Sequence, residues 1–285
     1  MALRIFTNLS SLNSQRAMSI NNARLGSSLE RIATGIRLQR SGDDIGAMSV
    51  SESLRGDVTA LKQGAKNLND GISMIQMADG ALNEQSSILI RLREITTQSA
   101  TGTIGDTERA TLQLEFSALR SEFDRIANTT EFNSRKLLDG SLAASSSDTT
   151  VLQLGLDSSD NNRFDLNQKI NLTAVTSSAL GFSTDSISTN TGAATAMANL
   201  TTAIDKLATI RARVGAAQET LDYAKGALDS SVGNLTGAVS TMRDADFAEE
   251  FASMTKNQIL VQGAAAMIGQ ANLIPQSVLT LLQEQ

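Results

Sequence analysis

The sequence predicts a mainly α protein built from long antiparallel coiled-coil helices, with a small central β-hairpin region. Proline occurs once in 285 residues and aromatic residues make up 3% of the chain, which suits long helices better than a large globular core. Two stretches, residues 44–98 and 193–235, carry apolar side chains at heptad spacing. A segment rich in Ser, Thr, Asp and Asn separates them, so we expect the chain to reverse there.

Composition argues against several functions. The 24 basic and 30 acidic residues are interspersed, so the chain lacks the basic patch of a nucleic-acid-binding protein. It contains no cysteine and no histidine, which supply most thiol nucleophiles, general bases and zinc ligands. We therefore expect neither an enzyme nor a cofactor or metal site. Residues 1–10 lack the apolar core of a secretory signal peptide, so export requires another route.

Residues 1–42 form the predicted N-terminal helical assembly segment. Leu29 and Ile32 belong to an apolar repeat at helical spacing in a stretch with few charges. Such a helix is poorly solvated by itself, so we expect it to pack against a partner. Ser41 or Asp43 is the expected N-cap of the helix that follows.

Residues 43–140 form the N-terminal part of the coiled-coil body. The seam of the long helix consists of Leu54, Val58, Leu61, Ala65, Leu68, Ile72, Ile75, Ala78, Leu82, Gln85, Leu89, Leu92 and Ile95. After a turn at residues 102–106, a shorter heptad run follows at Leu112, Phe116, Leu119, Phe123 and Ile126. This second helix is expected to fold back on the first.

Residues 141–192 form a short central variable region. Residues 151–156 and 163–172 alternate apolar and polar side chains on either side of a turn-rich stretch, a pattern that predicts a β-hairpin. Residues 193–242 then form the C-terminal part of the body. Their seam is Leu200, Ile204, Leu207, Ile210, Val214, Ala217, Leu221, Ala224, Leu228, Ser231 and Leu235. Two seams of similar length on either side of a hairpin indicate antiparallel pairing.

Residues 243–285 form the C-terminal helical assembly segment, which has no charged residue between Lys256 and Glu284. Its glutamines and asparagines, and Pro275, argue against a membrane span, so we expect burial by protein partners and no membrane insertion. The two terminal segments supply the expected assembly residues. These are Leu9, Leu29, Ile32, Phe247, Phe251, Met254, Val261, Ile268, Leu279 and Leu282. If such ends pack on further copies without closing a ring, a helical filament results.

The terminal motifs resemble those of bacterial flagellins. Residues 28–37 read Ser-Leu-Glu-Arg-Ile-Ala-Thr-Gly-Ile-Arg and residues 67–73 read Asn-Leu-Asn-Asp-Gly-Ile-Ser, similar to the N-terminal signature. Residues 243–250 read Arg-Asp-Ala-Asp-Phe-Ala-Glu-Glu and residues 275–279 read Pro-Gln-Ser-Val-Leu, similar to the C-terminal signature. The resemblance covers about residues 1–140 and 190–285.

This resemblance implies a homopolymeric subunit of the flagellar filament for swimming motility, with the terminal helices paired. It implies an extracellular location, reached through the flagellar type III secretion route without a cleaved signal peptide. The partners that it implies are an export chaperone on the C-terminal segment, the filament cap and the hook-associated proteins.

Residues 90–99 read Ile-Arg-Leu-Arg-Glu-Ile-Thr-Thr-Gln-Ser, which resembles the segment through which the flagellin-sensing Toll-like receptor binds flagellins. The residues carried over by this resemblance are Arg91, Glu94, Ile95, Gln98 and Glu115. By periodicity alone, the charged members are ordinary solvated residues beside the seam. Both interpretations stay open at this stage.

Two alternative functions also stay open. The hook–filament junction protein of the same family shares the N-terminal pattern, although a flagellin-like C-terminus through Leu282 argues against it. A non-polymerising coiled-coil adaptor would share the heptad seams and would remain soluble when seeded.

Overall fold

The computed structural model describes residues 8–283, and the side chains of residues 8–273. Its helices are α1 (Leu9–Thr34), α2 (Ile45–Ser99), α3 (Asp106–Thr129), α4 (Leu166–Ile170), α5 (Ser177–Leu180), α6 (Asn190–Arg243) and α7 (Phe247–Gln283). Its strands form two antiparallel hairpins, β1 (Glu131–Phe132) with β2 (Arg135–Lys136) and β3 (Val151–Gln153) with β4 (Arg163–Asp165). The predicted mainly α fold class is confirmed.

The described residues divide into two units. Unit 1 comprises the chain up to Gly56 and from Leu235 onward, and unit 2 comprises the chain from Asp57 to Asn234. The helices α2 and α6 contribute residues to both units. Along the described helices, no segment has the length and apolarity needed to cross a bilayer.

Unit 2 has a single hydrophobic core shared by α2, α3, α6 and the central region. Its fully buried side chains include Leu68, Ile75, Leu82, Leu89, Leu92, Phe116, Phe123, Phe182, Leu200 and Leu221. The Nδ2 of Asn190 donates to the carbonyl of Ala100 at 2.5 Å, and Arg211 Nε lies 3.5 Å from Asp79 Oδ1. Residue numbers rise along α2 as they fall along α6, so the two helices are antiparallel and the predicted seams meet in this core.

The N-terminus of α2 is capped by Asp44, whose Oδ1 accepts a hydrogen bond from the amide of Ala47 at 3.0 Å. The expectation that Ser41 or Asp43 caps this helix is wrong. Asp43 instead accepts hydrogen bonds from the two amides of residues 39–40, at 3.2 Å each. One carboxylate therefore closes the turn and the next one starts the helix.

The predicted hairpin in the central region is confirmed, but it is shorter than the alternating pattern indicated. Val151 pairs with Asp165 and Gln153 pairs with Arg163. The strand ends there because the Asp165 side chain accepts a hydrogen bond from the amide of Gln168 at 3.2 Å and caps α4. Residues 166–172 are therefore not a strand.

The hairpin β1–β2 was not predicted. Its turn residues, Asn133 and Ser134, have positive φ values of 49° and 64°. Two consecutive left-handed residues form the two-residue turn that matches the twist of paired strands. Asn-Ser is a weaker turn signal than Asn-Gly. The strands are also only two residues long, so they show no alternation of apolar and polar residues from which the hairpin could be predicted.

The segment around β3 lies against α2 over two helix glycines, Gly64 and Gly71. A Cβ on Gly64 would lie 2.3 Å from the carbonyl oxygen of Leu154. Between the glycines, Asn67 donates from Nδ2 to the carbonyl oxygen of Gln153 at 3.1 Å. The glycines therefore bring backbone against helix at a separation that a side chain would prevent.

The turn between α2 and α3 is held by a buried cation, Arg109, which is 5% exposed. Its guanidinium donates to the carbonyl of Ser99, to that of Thr101 at 3.1 Å and to that of Ile104 at 2.8 Å. Carbonyls at the end of a helix have no partner within the helix, so one side chain satisfies the end of α2 and fixes the turn.

Candidate assembly and recognition surfaces

The terminal helices α1 and α7 form an antiparallel pair in unit 1. At one end, Asn8 donates from Nδ2 to the carbonyl of Ala271 at 2.8 Å. Near the other end, Arg31 Nη1 lies 3.0 Å from Glu250 Oε1. The pairing of terminal helices that the flagellin resemblance implied is confirmed.

Backbone contacts join the two chain segments where α1 ends and α7 begins. Gly35, with φ of +71°, ends α1 in the left-handed conformation, and its carbonyl accepts a hydrogen bond from the amide of Ala245 at 3.0 Å. The amide of Arg37 donates to the carbonyl of Arg243 at 2.7 Å. A residue without a Cβ enters the left-handed region freely, which lets the chain turn into this contact.

The fully buried positions of the seam between α1 and α7 are small or polar, and larger apolar side chains beside them are only half-buried. Among the residues of the two helices whose side chains are described, the buried ones are Ser11, Ser28, Glu250, Asn257 and Ala271. Such side chains let helices approach closely but remove little apolar area from water, the main source of stabilisation. The internal seam of this pair is therefore a weak hydrophobic core.

Large apolar side chains on the same pair point to solvent instead. Those between 42% and 65% exposed are Leu9, Leu12, Ile20, Leu29, Phe247, Phe251, Ile259, Leu260, Met267 and Leu273. The rings of Phe247 and Phe251 lie together, with centroids 6.5 Å apart. A set of exposed apolar side chains of this size marks an interaction surface. We call these ten residues the terminal apolar surface.

The predicted assembly residues fall into three groups. Leu9, Leu29, Phe247 and Phe251 belong to the terminal apolar surface, whereas Ile32, Met254, Val261 and Ile268 are half-buried. Leu279 and Leu282 lie outside the residues whose side chains the structure describes. Heptad spacing placed Phe247 and Phe251 on the seam of α7, but Glu250 and Asn257 are the residues buried there.

The heptad analysis missed the other members of the terminal apolar surface, namely Leu12, Ile20, Ile259, Leu260, Met267 and Leu273. These surface residues can be recognised in the sequence because each is an apolar residue that lies between seam positions, on a helix face that is otherwise polar. Such a residue has no partner within its own helix pair, so it stands out once the seam is known.

Charged groups surround the connection between α1 and α2. Hydrogen bonds from the amides of Arg40 and Gln39 lower the pKa of Asp43. The pKa of Glu52 is lowered first by Arg55, at 2.8 Å, and then by Arg243, at 2.6 Å. These groups are exposed, so solvent screens their attraction and they orient the chain more than they stabilise it.

On unit 2, three of the predicted receptor-recognition residues form one cluster. Arg91 donates to Glu115 Oε1 from Nη2 at 2.8 Å and from Nε at 3.0 Å, and to Glu94 Oε2 from Nη1 at 2.8 Å. The bond to Glu115 and then that to Glu94 raise the pKa of Arg91. One guanidinium thus joins α2 to α3 and presents both carboxylates to solvent.

The two other predicted recognition residues differ from each other. Gln98 is exposed beside the cluster, whereas Ile95 is 1% exposed and lies in the core of unit 2. Ile95 is therefore corrected from a surface contact to a residue that holds α2 in place. The apolar residues that precede Arg91 and Glu115 are Ile90 and Leu114, which are 61% and 73% exposed. Leu114 was not among the predicted recognition residues, although it lies between two seam positions of α3.

Comparison with known proteins decides the family. The family model for the bacterial flagellin N-terminal helical region matches residues 5–143, and that for the C-terminal helical region matches residues 197–282. A flagellin of Halalkalibacterium halodurans is 37% identical over 276 residues, covering 97% of this chain and 98% of that protein. The chain belongs to the bacterial flagellin family.

A second relative and a solved structure are also similar to this chain. The flagellar filament 30.7 kDa core protein of Treponema maltophilum is 36% identical over 283 residues, covering 96% of this chain and 98% of that protein. A solved structure of a putative flagellar hook-associated protein from Vibrio parahaemolyticus has a TM-score of 0.57, covering 71% of this chain and all of that one. At 14% identity, it shows the shared fold alone. The flagellin family is a family of structural proteins.

Proposed function

We propose that this chain is a structural subunit that polymerises into the bacterial flagellar filament and supports swimming motility. The observation that supports this most directly is the terminal apolar surface, which lies beside a seam of small and polar residues. The ten large apolar side chains of this surface are exposed in the described subunit. Further copies of the chain that bury them by head-to-tail contacts form an open helical polymer.

Within this proposal, the assembly residues have two roles. Leu9, Leu29, Phe247 and Phe251 contact neighbouring subunits, and burying the exposed half of each such side chain contributes about 1–1.5 kcal/mol. Ile32, Met254, Val261 and Ile268 hold α1 against α7 so that the surface is presented as one face.

Seeded polymerisation of the full chain tests the proposal. The double substitution Phe247→Ser and Phe251→Ser should abolish elongation of seeds, measured by sedimentation and electron microscopy. The monomer should unfold at a moderately lower temperature but stay folded at the assay temperature, because only about half of each ring is buried in the subunit. Leu156→Ser is the control, since Leu156 is 50% exposed on unit 2 and outside the terminal helices. Elongation at the wild-type rate by the double variant would contradict the proposal.

We further propose that the chain reaches the cell exterior through the flagellar type III secretion route. Before secretion, an export chaperone covers residues 243–285, because their apolar side chains would otherwise self-associate. The filament cap and the hook-associated proteins are the expected neighbours at the filament ends. Removal of residues 243–285 should abolish capture by the export chaperone of the same bacterium, whereas removal of residues 1–42 should leave capture intact. Capture that survives the first deletion would oppose this assignment.

A second proposed function is recognition by the flagellin-sensing Toll-like receptor. The supporting observation is the exposed cluster of Arg91, Glu94 and Glu115, flanked by Gln98. Arginine often anchors interfaces, since its planar group makes several hydrogen bonds in a desolvated pocket. The cluster is already formed in the free chain, so little ordering is needed on binding.

Receptor signalling by the monomeric chain tests this function. Arg91→Ala and Glu115→Ala should each reduce potency at least about tenfold, the loss expected when an interface anchor is truncated. Arg125→Ala is the matched control, because Arg125 forms a similar exposed ion pair with Glu122 on α3. Equal potency of wild type, both cluster variants and the control would remove the proposal.

The same observations are compatible with two alternative functions. One is a hook–filament junction protein, and the other is a non-polymerising coiled-coil adaptor. A junction protein adds to a hook end in a limited layer, so the chain alone would not elongate filament seeds. An adaptor would remain monomeric at every concentration. Filament growth that is proportional to added chain, without a second protein, distinguishes the flagellar filament subunit from both.

A further inference from the structure

One face of α1 combines apolar side chains of the terminal apolar surface with a cation. Arg16 lies four residues after Leu12 and four residues before Ile20, a spacing that places the three residues on one side of the helix. All three are exposed. We call these three residues the α1 strip. A partner that buries its leucine and isoleucine also covers the arginine, and a covered charge without a partner is strongly unfavourable.

One face of α7 combines apolar side chains of the same surface with an acid. Glu249 lies eleven residues before Leu260 and eighteen before Met267, which are about three and five helical turns. The three residues therefore share one side of the helix, and all three are exposed. We call them the α7 strip. Each strip thus carries one charge among its apolar residues, and the two charges are opposite.

Charge is also separated along the pair of helices. Residues 9–29 of α1 and 251–273 of α7 contain three cations, Arg16, Arg24 and Lys256, and no acid. The acids of the described parts of both helices gather instead where α1 ends and α7 begins. They are Glu30, Glu249 and Glu250. Such a separation favours a contact in which the acidic end of one copy lies on the cationic section of another.

Of these three acids, Glu249 is the one left for another copy. Glu250 is 9% exposed and pairs with Arg31 at 3.0 Å. Glu30 lies 3.1 Å from Arg40. Within the described part of the chain, Glu249 forms no ion pair, and its side chain is exposed on the α7 strip.

On the basis of the proposed filament subunit, we propose that the α7 strip of one copy packs on the α1 strip of the next copy, with Glu249 paired to Arg16. The pair neutralises both charges as the apolar side chains around them become buried. Two different strips meet in this contact, so every added copy leaves one strip of each kind free. The contact is therefore head-to-tail and specifies an open polymer.

The spacing of the charges selects Arg16 over Arg24 as the partner of Glu249. Because α1 and α7 are antiparallel, copies that share one orientation bring α7 of one copy antiparallel to α1 of the next. On α7, Glu249 precedes Lys256 by seven residues, about 10 Å along the axis, and the two arginines are eight residues apart, about 12 Å. Pairing with Arg24 would set Lys256 level with Arg16, where the two cations repel. Pairing with Arg16 sets Lys256 level with the uncharged Leu9.

Seeded elongation by the full chain, followed by sedimentation and electron microscopy, tests the pair. Arg16→Glu and Glu249→Arg should each slow elongation at least about tenfold, because like charges then meet in a partly dehydrated contact. The chain that carries both substitutions should elongate within about threefold of the wild-type rate, because it restores an opposite pair. Rates are taken after the first added copies, since those contact the wild-type seed.

The matched control is Arg24→Glu, the same change on the same helix, which should stay within about threefold of the wild-type rate because Arg24 has no charged partner in this contact. Single reversals that elongate like the wild type, or a combined variant as slow as either, would overturn the pair and leave the polymer intact. A loss in Arg24→Glu that Glu249→Arg restores would also overturn it. A wild-type chain that adds to no seed would refute the proposed filament subunit together with the pair.

Discussion

Replacing Gly64 by alanine tests whether the hairpin β3–β4 lies against α2. The new Cβ would meet the carbonyl oxygen of Leu154 at 2.3 Å and its carbonyl carbon at 3.0 Å. Both are backbone atoms, so no side-chain rotation relieves the overlap. The segment after β3 must move by about 1 Å to reach ordinary van der Waals separation. Because Asn67 bonds the adjacent Gln153 carbonyl, the shift also strains that hydrogen bond.

The expected destabilisation follows from two opposed effects. Overpacking of this kind costs about 1–3 kcal/mol, and a lost hydrogen bond adds about 1 kcal/mol. Alanine in place of glycine within a helix returns about 1 kcal/mol. The net loss of 1–3 kcal/mol, about 2–4 °C per kcal/mol in a unit of this size, should lower the thermal midpoint by roughly 2–12 °C. Circular dichroism at the helix band measures it.

Two further glycines of α2 give graded controls. At Gly71, the nearest atoms to the new Cβ would belong to the Leu152 side chain, with Cδ1 at 2.3 Å, and that flexible side chain can move, so the loss should be smaller. At Gly80, nothing lies within 4 Å, so alanine should raise the midpoint by its helix propensity alone. Hydrogen exchange of the Leu154 amide, which is bonded to Asn162 at 2.9 Å, should accelerate in Gly64→Ala only. A midpoint raised by Gly64→Ala as by Gly80→Ala would show that the hairpin is not packed there.

Arg109→Met should lower the free energy of unfolding by about 2–3 kcal/mol, because the carbonyl of Ser99 at the end of α2 and those of Thr101 and Ile104 in the turn lose the guanidinium donor; urea titration measures this, and an unchanged midpoint would mean that water satisfies them. Gln85→Glu places a carboxylate where the amide donates to the carbonyls of Phe123 and Val175 at 3.1 Å each. Burial then raises the pKa of the new carboxyl, so stability should fall as the pH rises through the range between its unfolded and folded pKa; thermal midpoints that are equal at about pH 4 and about pH 7 would contradict this. The pKa of Asp43 is lower in the folded chain than its ordinary value of 3.8, so its two amide bonds stabilise the turn above that value and are lost as the pH falls through the folded pKa. The protection of the amides of residues 39–40, measured as the exchange rate relative to the intrinsic rate at the same pH, should therefore decrease on acidification in the wild type but not in Asp43→Asn.

Local sequence rules determined the helices of this protein well. Heptad spacing placed Leu68, Leu82 and Leu92 of α2 on the buried side, and each is fully buried. The small residue Ala78, where the heptad slips, is buried too, since a helix face is set by its own periodicity. The terminal motifs also indicated the family, because they are long and occur in order.

Only the tertiary structure decided where the large apolar side chains of the terminal helices lie. Phe247 and Phe251 fit a heptad as well as Met254 does, and periodicity cannot tell a seam inside one subunit from a face left for another. The close approach of α1 and α7 favours Asn257 and Ser28 in the seam, which turns the rings outward. The long-range contacts of unit 2 were likewise decided by the tertiary structure alone.

Such contacts join residues that are far apart in the chain, so no sequence window contains them. Arg91 meets Glu115 only because the turn after α2 returns α3 to its side, and Arg213 reaches the Asn171 carbonyl only because α4 ends there in a left-handed residue, with φ of 44°. In the sequence, Gly64 only lowers the helix propensity of α2. The structure shows its purpose, since the backbone of Leu154 packs against it. The sequence alone therefore determined the helices, their seams and the family, whereas chain reversals and packing decided which side chains remain available for binding.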